Sequence, residues 1–409
     1  MSDAERTIAA IFRIELPKLV AGLSRMLRDV GRAEELAQDA MVVALERWPS
    51  EGVPDNPGAW LMTTAKRRAI DHLRHGKLAE RKHEELGRAA EPEVMRDPDD
   101  DIGDDLLRLV FTACHPILST EARVALTLRL IGGLTTAEIA RAFLVPEPTI
   151  AQRIVRAKRT LSDAHVPFEV PAAAERAERL ASVLEVIYLI FNEGYAATAG
   201  DDWMRPELCA DAQRLARLLA GLAPNDPEVF GLLALVELQG SRLHARSDAT
   251  GAPVLLLEQD RSLWDQLMIR RGLHALAHAE QLGGARGTYA LQAAIAACHA
   301  RAHTATETDW PKIAALYAAL TQVAPSPIIE LNRAVALGMA LGPAAGLEVL
   351  DALADDPALA DYHLLPSVRA DLLAKLGRLD EARTELHRAA DLATNRAERE
   401  LLLARARRL

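Results

Sequence analysis

Five hydrogen-bonding side chains cluster at helical spacing between residues 149 and 159: Thr149, Gln152, Arg153, Arg156 and Arg159. These residue types reach base edges and phosphates in a DNA major groove. Ile150, Ile154, Ala157 and Leu161 fall on the opposite face of the same segment. Pro146 and Pro148 mark its start, because proline is tolerated only in the first turn of a helix. The preceding stretch carries its own start signal. Thr135 and Glu138 have capping-box spacing, with Leu134 and Ile139 placed as a hydrophobic staple. Residues 134–161 therefore read as a helix-turn-helix whose second helix enters a major groove. A plain helical hairpin with a solvated basic face has the same pattern.

A second basic element lies at residues 56–75. Asn56 and Pro57 open a helix as cap and first residue. Trp60, Thr63, Arg67, Asp71 and Arg74 then share one surface, with Lys66 beside them, while Leu61, Ala65, Ala69 and Leu73 share another. An aromatic ring next to cationic donors is how unpaired bases are held. The competing reading makes Trp60 an ordinary core residue at a helix start.

These elements need positioning, and composition says by what. Hydrophobic residues make up 50% of the 409-residue chain but aromatics only 4%, a mixture that favours helix over strand. The three cysteines are far apart, which fits reduced thiols and not a disulfide framework. No stretch is apolar enough for a membrane span and the first residues lack a signal pattern, so a cytoplasmic protein is expected. The net charge is −10, unusual for a nucleic-acid binder, but it is unevenly placed. Residues 1–165 carry 24 basic and 26 acidic side chains, leaving 24 and 32 for the remainder. Residues 60–82 hold seven basic residues and two acidic ones, whereas 84–105 hold ten acidic and two basic ones. Basic elements joined by an acidic tether would keep non-specific affinity low.

From about residue 174 the chain reads as helical hairpins. The blocks 330–353 and 367–390 both run helix, glycine, turn, helix. Gly342 and Gly377 lie about one tetratricopeptide period (~34 residues) apart. Gly240 is placed similarly after an earlier helix. An irregular bundle is the competing reading.

The order of motifs resembles that of the extracytoplasmic-function (ECF) σ factors of the σ-70 family. Residues 29–49 are similar to region 2.2, residues 56–75 to regions 2.3 and 2.4, and residues 111–161 to region 4. The segments YLIFNEGY (188–195) and ELNRAVAL (330–337) resemble the tetratricopeptide-like extension of one subgroup. The resemblance implies an all-α chain. It would comprise a σ region 2 bundle over 1–80, an acidic linker over 81–104, a region 4 helix-turn-helix domain over 105–165 and a helical regulatory extension over 174–409.

It also implies roles. Glu34, Glu35, Leu36, Gln38, Asp39 and Val42 would meet the β′ clamp helices of core RNA polymerase. Trp60, Thr63, Lys66, Arg67, Asp71 and Arg74 would melt and read the −10 element. Thr149, Gln152, Arg153, Arg156 and Arg159 would hold the −35 element while region 4 faces the β flap. The chain departs from the family at Pro146 and Pro148, where small polar residues or glycine are usual. It departs again at Arg67, where asparagine is frequent. The polymerase supplies the chemistry, so no catalytic residue and no cofactor are expected. The pairs His274/His278 and His299/His303 have ligand spacing but no carboxylate or thiolate pattern beside them, and no metal is expected. The acidic extension is expected to contact the basic surfaces or the polymerase. The alternative function is a helix-turn-helix activator on a repeat scaffold that leaves the duplex closed.

Overall fold

The computed structural model describes residues 3–81, 102–143, 145–197, 203–249 and 251–409. Most of the acidic tether falls outside them. Among the described residues the chain is all-α, and it divides into two units, residues 1–187 and 188–409.

The first unit begins with three long helices, α1 (Asp3–Leu27), α2 (Val30–Glu51) and α3 (Pro57–Arg81). Asp29 caps α2 by accepting from the Arg32 amide at 2.9 Å, and Asn56 accepts from the Ala59 amide at 3.0 Å to start α3. Their shared core sets Leu19, Val20 and Leu23 of α1 against small residues: Ala33, Ala37, Ala40 and Ala44 of α2, and Ala65 and Ala69 of α3. Alanine at successive turns lets the three axes approach closely.

Four shorter helices follow: α4 (Ile102–Ala113), α5 (Thr120–Leu130), α6 (Thr136–Ala142) and α7 (Glu147–Asp163). Their core holds Leu109, Phe111, Leu126, Leu128, Leu130, Ile139 and Ile150. The turn between α5 and α6 passes through Gly133, whose φ of +69° is a left-handed conformation that favours glycine. Helix α8 (Ala173–Tyr195) runs across the division between the units, and its first half belongs to the first unit. Arg179 donates to the Phe111 carbonyl at 2.9 Å, Ser182 donates to the Cys114 carbonyl at 2.7 Å, and Arg123 pairs with Glu185 at 3.1 Å.

Within this unit α2 also touches α5 and α7 through one carboxylate. Glu34 is 1% exposed. Its Oε1 accepts from Arg129 Nε of α5 at 2.6 Å and from Gln38 Nε2 at 2.6 Å. Its Oε2 is ion-paired to Lys158 of α7. The Lys158 stem lies over Gly31, where a Cβ would sit 3.5 Å from Lys158 Cδ.

The second unit continues with α9 (Pro206–Leu222), α10 (Pro227–Gly240), α11 (Gln266–Gln281), α12 (Thr288–Arg301), α13 (Trp310–Val323) and α14 (Pro327–Leu341). It ends with α15 (Pro343–Ala352), α16 (Leu364–Lys375), α17 (Leu379–Leu392) and α18 (Arg396–Arg408). Most consecutive helices pack on one another. One core gathers Leu235, Leu238, Trp264, Ile269 and Leu276, and another Leu331, Leu350, Leu372, Leu386 and Leu402. Gly342 and Gly377 follow α14 and α16 with φ of +108° and +77°, values that favour glycine.

Gly240 does not play that role. Its φ is not positive, and its missing Cβ makes room for the Gln213 amide. The chain after it is irregular, with short 3₁₀ turns and a single bridge between Ser247 and Pro253 before α11 begins.

Glu34 gives a direct stability test. Replacing it by glutamine keeps the shape but leaves Arg129 and Lys158 without their shared anion. Glu34→Gln should lower the unfolding free energy by about 1–3 kcal/mol in urea titrations of the full chain. An unchanged midpoint would show that the contact contributes nothing.

Candidate nucleic-acid interface

Helix α6 is fixed at its start as the residues require. Glu138 accepts from the Thr135 amide at 2.7 Å, and the Glu138 amide donates to Thr135 Oγ1 at 3.1 Å. Leu134 and Ile139 are both buried. Pro146 caps α7 without a side-chain bond, and the Thr149 amide closes the first turn on the Pro146 carbonyl at 2.9 Å. Ile150, Ile154, Ala157 and Leu161 are the buried face of α7, which packs on α5 and α6.

The outer face of α7 carries the expected donors. Thr149, Gln152, Arg156 and Arg159 are exposed and Arg153 is half-buried. Arg159 is held by Asp163 at 3.3 Å, one turn on, so part of its charge is spent within the helix. Val155 was not anticipated. It is 63% exposed among these donors, and an apolar side chain there suits the methyl group of a thymine. Its signal in the sequence was a valine off the buried stripe.

On α3, Thr63, Arg67 and Asp71 are exposed and Lys66 is half-buried. Thr63 Oγ1 donates back to the Ala59 carbonyl at 2.8 Å. The Arg74 side chain lies outside the described residues. Trp60 fits neither simple expectation. It is half-buried, with its ring edge-on to Trp48 at 5.5 Å, and Trp48 in turn meets Phe12 at 5.8 Å. The Trp60 ring is thus held by packing on Trp48, in a residue that is neither fully buried nor fully exposed.

The face of α2 expected to meet polymerase requires a correction. Glu34 and Leu36 are 1% and 4% exposed and cannot touch a partner in this conformation. Glu34 is spent on Arg129 and Lys158, and Leu36 packs in the bundle. Gln38 is half-buried against Glu34. The exposed residues of α2 include instead Glu35, paired with Arg32 at 2.6 Å, Asp39, paired with Arg68 at 2.9 Å, and two apolar residues. These are the expected Val42, at 53%, and a residue not expected from the sequence, Leu45, at 52%. Leu45 lies three residues after Val42, on the same helical face.

Burial pushes the Cys114 thiol up to about 11, which leaves it a poor nucleophile. Burial, with Arg242 and Arg261 nearby, holds the His299 imidazole down to about 3, while His274 and His303 are exposed. Among the described residues no three His, Cys, Asp or Glu side chains are grouped to hold a metal ion. No helix among them is long and apolar enough to cross a membrane.

Comparison with known proteins assigns these surfaces to a family. Sigma-70 region 2 matches residues 11–78, and Sigma-70 region 4 matches residues 108–161. A family of unknown function, DUF6596, matches residues 179–280. An uncharacterized protein of Rhizobium meliloti (strain 1021) is 43% identical over 394 residues, covering 93% of this chain and 91% of that one. The ECF RNA polymerase sigma factor SigK of Mycobacterium ulcerans (strain Agy99) is 33% identical over 169 residues, which is 39% of this chain and 87% of the relative. SigK of Mycobacterium tuberculosis (strain ATCC 25177 / H37Ra) is 32% identical over 146 residues, 34% of this chain and 74% of the relative. No solved structure matches the chain. A three-helix bundle carrying α3, followed by a capped helix-turn-helix carrying α7, is thus found where both σ-70 regions match, and the chain belongs to the ECF-type σ factors of transcription initiation.

Proposed function

We propose that residues 1–80 and 105–165 bring core RNA polymerase to a promoter through two separate DNA contacts, joined by the acidic linker 81–104. Helix α7 reads the −35 element through Thr149, Gln152, Arg153 and Arg156, with Arg159 on the backbone and Val155 against a base methyl. Helix α3 meets the −10 element with Trp60, Thr63, Lys66, Arg67, Asp71 and Arg74. The observation that carries the reading is the division of labour on α7: four apolar residues locked inward and a row of donors facing out.

Melting requires a surface that prefers unpaired bases, since equal affinity for both states shifts nothing. Each opened step costs about 1.4 kcal/mol of stacking. A partly exposed Trp60 beside Thr63 and Arg67 supplies a π-face and cationic donors to offset that cost. Polymerase docks on α2 through Glu35, Gln38, Asp39, Val42 and Leu45, and on region 4 through the β flap. Glu34 joins this surface only when α2 parts from α7, so the packed first unit is the resting form and assembly opens it. The helices of residues 174–409 form a tetratricopeptide-like regulatory extension whose excess of acidic residues acts on the first unit or on polymerase.

Two outcomes test this. Arg156→Ala should weaken promoter binding by about 1–3 kcal/mol, while Trp60→Ala should leave closed binding intact and cut open-complex formation by about tenfold. Gel shifts and permanganate footprints with core polymerase measure the two separately; equal losses in both assays for Trp60→Ala would contradict the assignment. Truncation after Ile187, which keeps the part of α8 bonded to region 4, should alter promoter-dependent run-off transcription and its salt dependence. Unchanged values would remove the regulatory role of the extension.

A further inference from the structure

The second unit contains a feature that its part in transcription does not explain. Three arginines, Arg242, Arg246 and Arg261, are gathered around Tyr195, Trp203 and Trp264. Arg246 is 8% exposed. Its guanidinium carbon lies 3.4 Å from the centroid of the Tyr195 ring and 4.4 Å from that of Trp203, and the group donates to the Tyr195 carbonyl. Arg242 sits 5.7 Å from the Tyr195 ring and 5.6 Å from that of Trp264, donating to the Tyr195 hydroxyl and the Gln239 amide oxygen. Arg261 donates to the carbonyls of His299 and Ala302, both at 2.7 Å. Among the described residues none of the three is ion-paired to a carboxylate.

That arrangement is costly. A guanidinium taken out of water needs an anion close by, and ring faces and carbonyls replace it only in part. Burial accordingly pulls the Arg246 guanidinium down to about 10, with Arg242 adding repulsion. Arginines that serve packing alone elsewhere in this unit do have partners: Arg217 and Arg271 share the buried Glu237 at 2.7 and 3.3 Å.

Arg242 and Arg246 also line a cavity of about 290 Å³. The irregular segment after α10 forms one wall with Pro253, Val254, Leu255 and Leu256, and Leu401 and Leu402 of α18 form another. Glu398 is the one carboxylate among the described lining residues, and it lies 3.4 Å from His363 Nε2. Arg405, also on the wall, is taken by Asp371 at 3.4 Å. Arg242 and Arg246, neither ion-paired to a carboxylate among the described residues, therefore face a space that is otherwise mostly apolar, and Glu398 offsets the Arg246 charge only from beyond ion-pair distance. A small mobile ion such as phosphate would use the charge and leave the apolar walls unmatched.

We propose that this cavity binds a small organic carboxylate, its anionic end on Arg246 and Arg242 and its apolar body against the Val254–Leu256 wall. The acid supplies the missing counter-charge and is held by a largely pre-formed pocket. Such a ligand would stabilise the folded second unit by mass action. This goes beyond the σ reading and does not rest on it, since the readout is binding and not transcription.

The test uses the full-length chain and matched probes. Benzoate and hexanoate should bind saturably in calorimetric titrations and raise the thermal midpoint, with benzamide and hexanamide at least about tenfold weaker, because only the acids satisfy the arginines. Arg246→Met should abolish the preference for acid over amide. If that variant fails to fold, the acid–amide comparison on the unaltered chain still decides. Equal affinity for acid and amide would overturn the proposal, as would inorganic phosphate binding as tightly as benzoate. So would the absence of saturable binding of either acid up to about 10 mM, a concentration that would detect even weak complexes.

Discussion

The first unit depends on where one negative charge goes. Glu34 arises on α2 in a row of small residues that draw the helix into its bundle, and its side chain is buried with them. A carboxylate in that position must be paired, and the partners come from α5 and α7. The same helix that carries the exposed donors supplies Lys158 to Glu34. The surfaces proposed for the −35 element and for polymerase therefore meet through α7, which turns a basic face outward and Lys158 toward α2. Desolvation offsets much of the attraction in a buried pair of this kind, so removing one partner costs more than the pair itself contributes.

Much of the site was legible because it rests on local rules. The capping box at Thr135 and Glu138, the Asn56 cap and the apolar stripe of α7 follow from spacing alone, and each is present as expected. What escaped was tertiary. Nothing in residues 29–49 tells Glu34 from Glu35, yet one is buried under region 4 and the other is on the surface. The difference lies about a hundred residues away in Arg129 and Lys158, which periodicity cannot connect. Trp60 shows the same limit. Its helix and its neighbours were readable, but its half-exposure is set by Trp48, whose ring reaches it from α2.

The second unit carries the same lesson in another form. Gly342 and Gly377 end helices as their spacing indicates, whereas Gly240 is small to admit Gln213 and is followed by irregular chain. That irregular segment also brings Arg242 and Arg246, neither ion-paired among the described residues, to a cavity. The FNEGY motif contributes Tyr195, whose ring and carbonyl both meet Arg246. A motif that looked like family resemblance alone thus has a physical role as the platform for buried cations.

The central claim is that the packed first unit must open at Glu34 when the chain joins polymerase. Spin labels at positions 46 and 162, both exposed on α2 and α7 and outside the proposed contacts, would report the separation of those helices directly. One narrow, short distance distribution is expected for the free chain, replaced by a longer one when core RNA polymerase is added. An unchanged distribution in a complex shown to have formed would contradict the account.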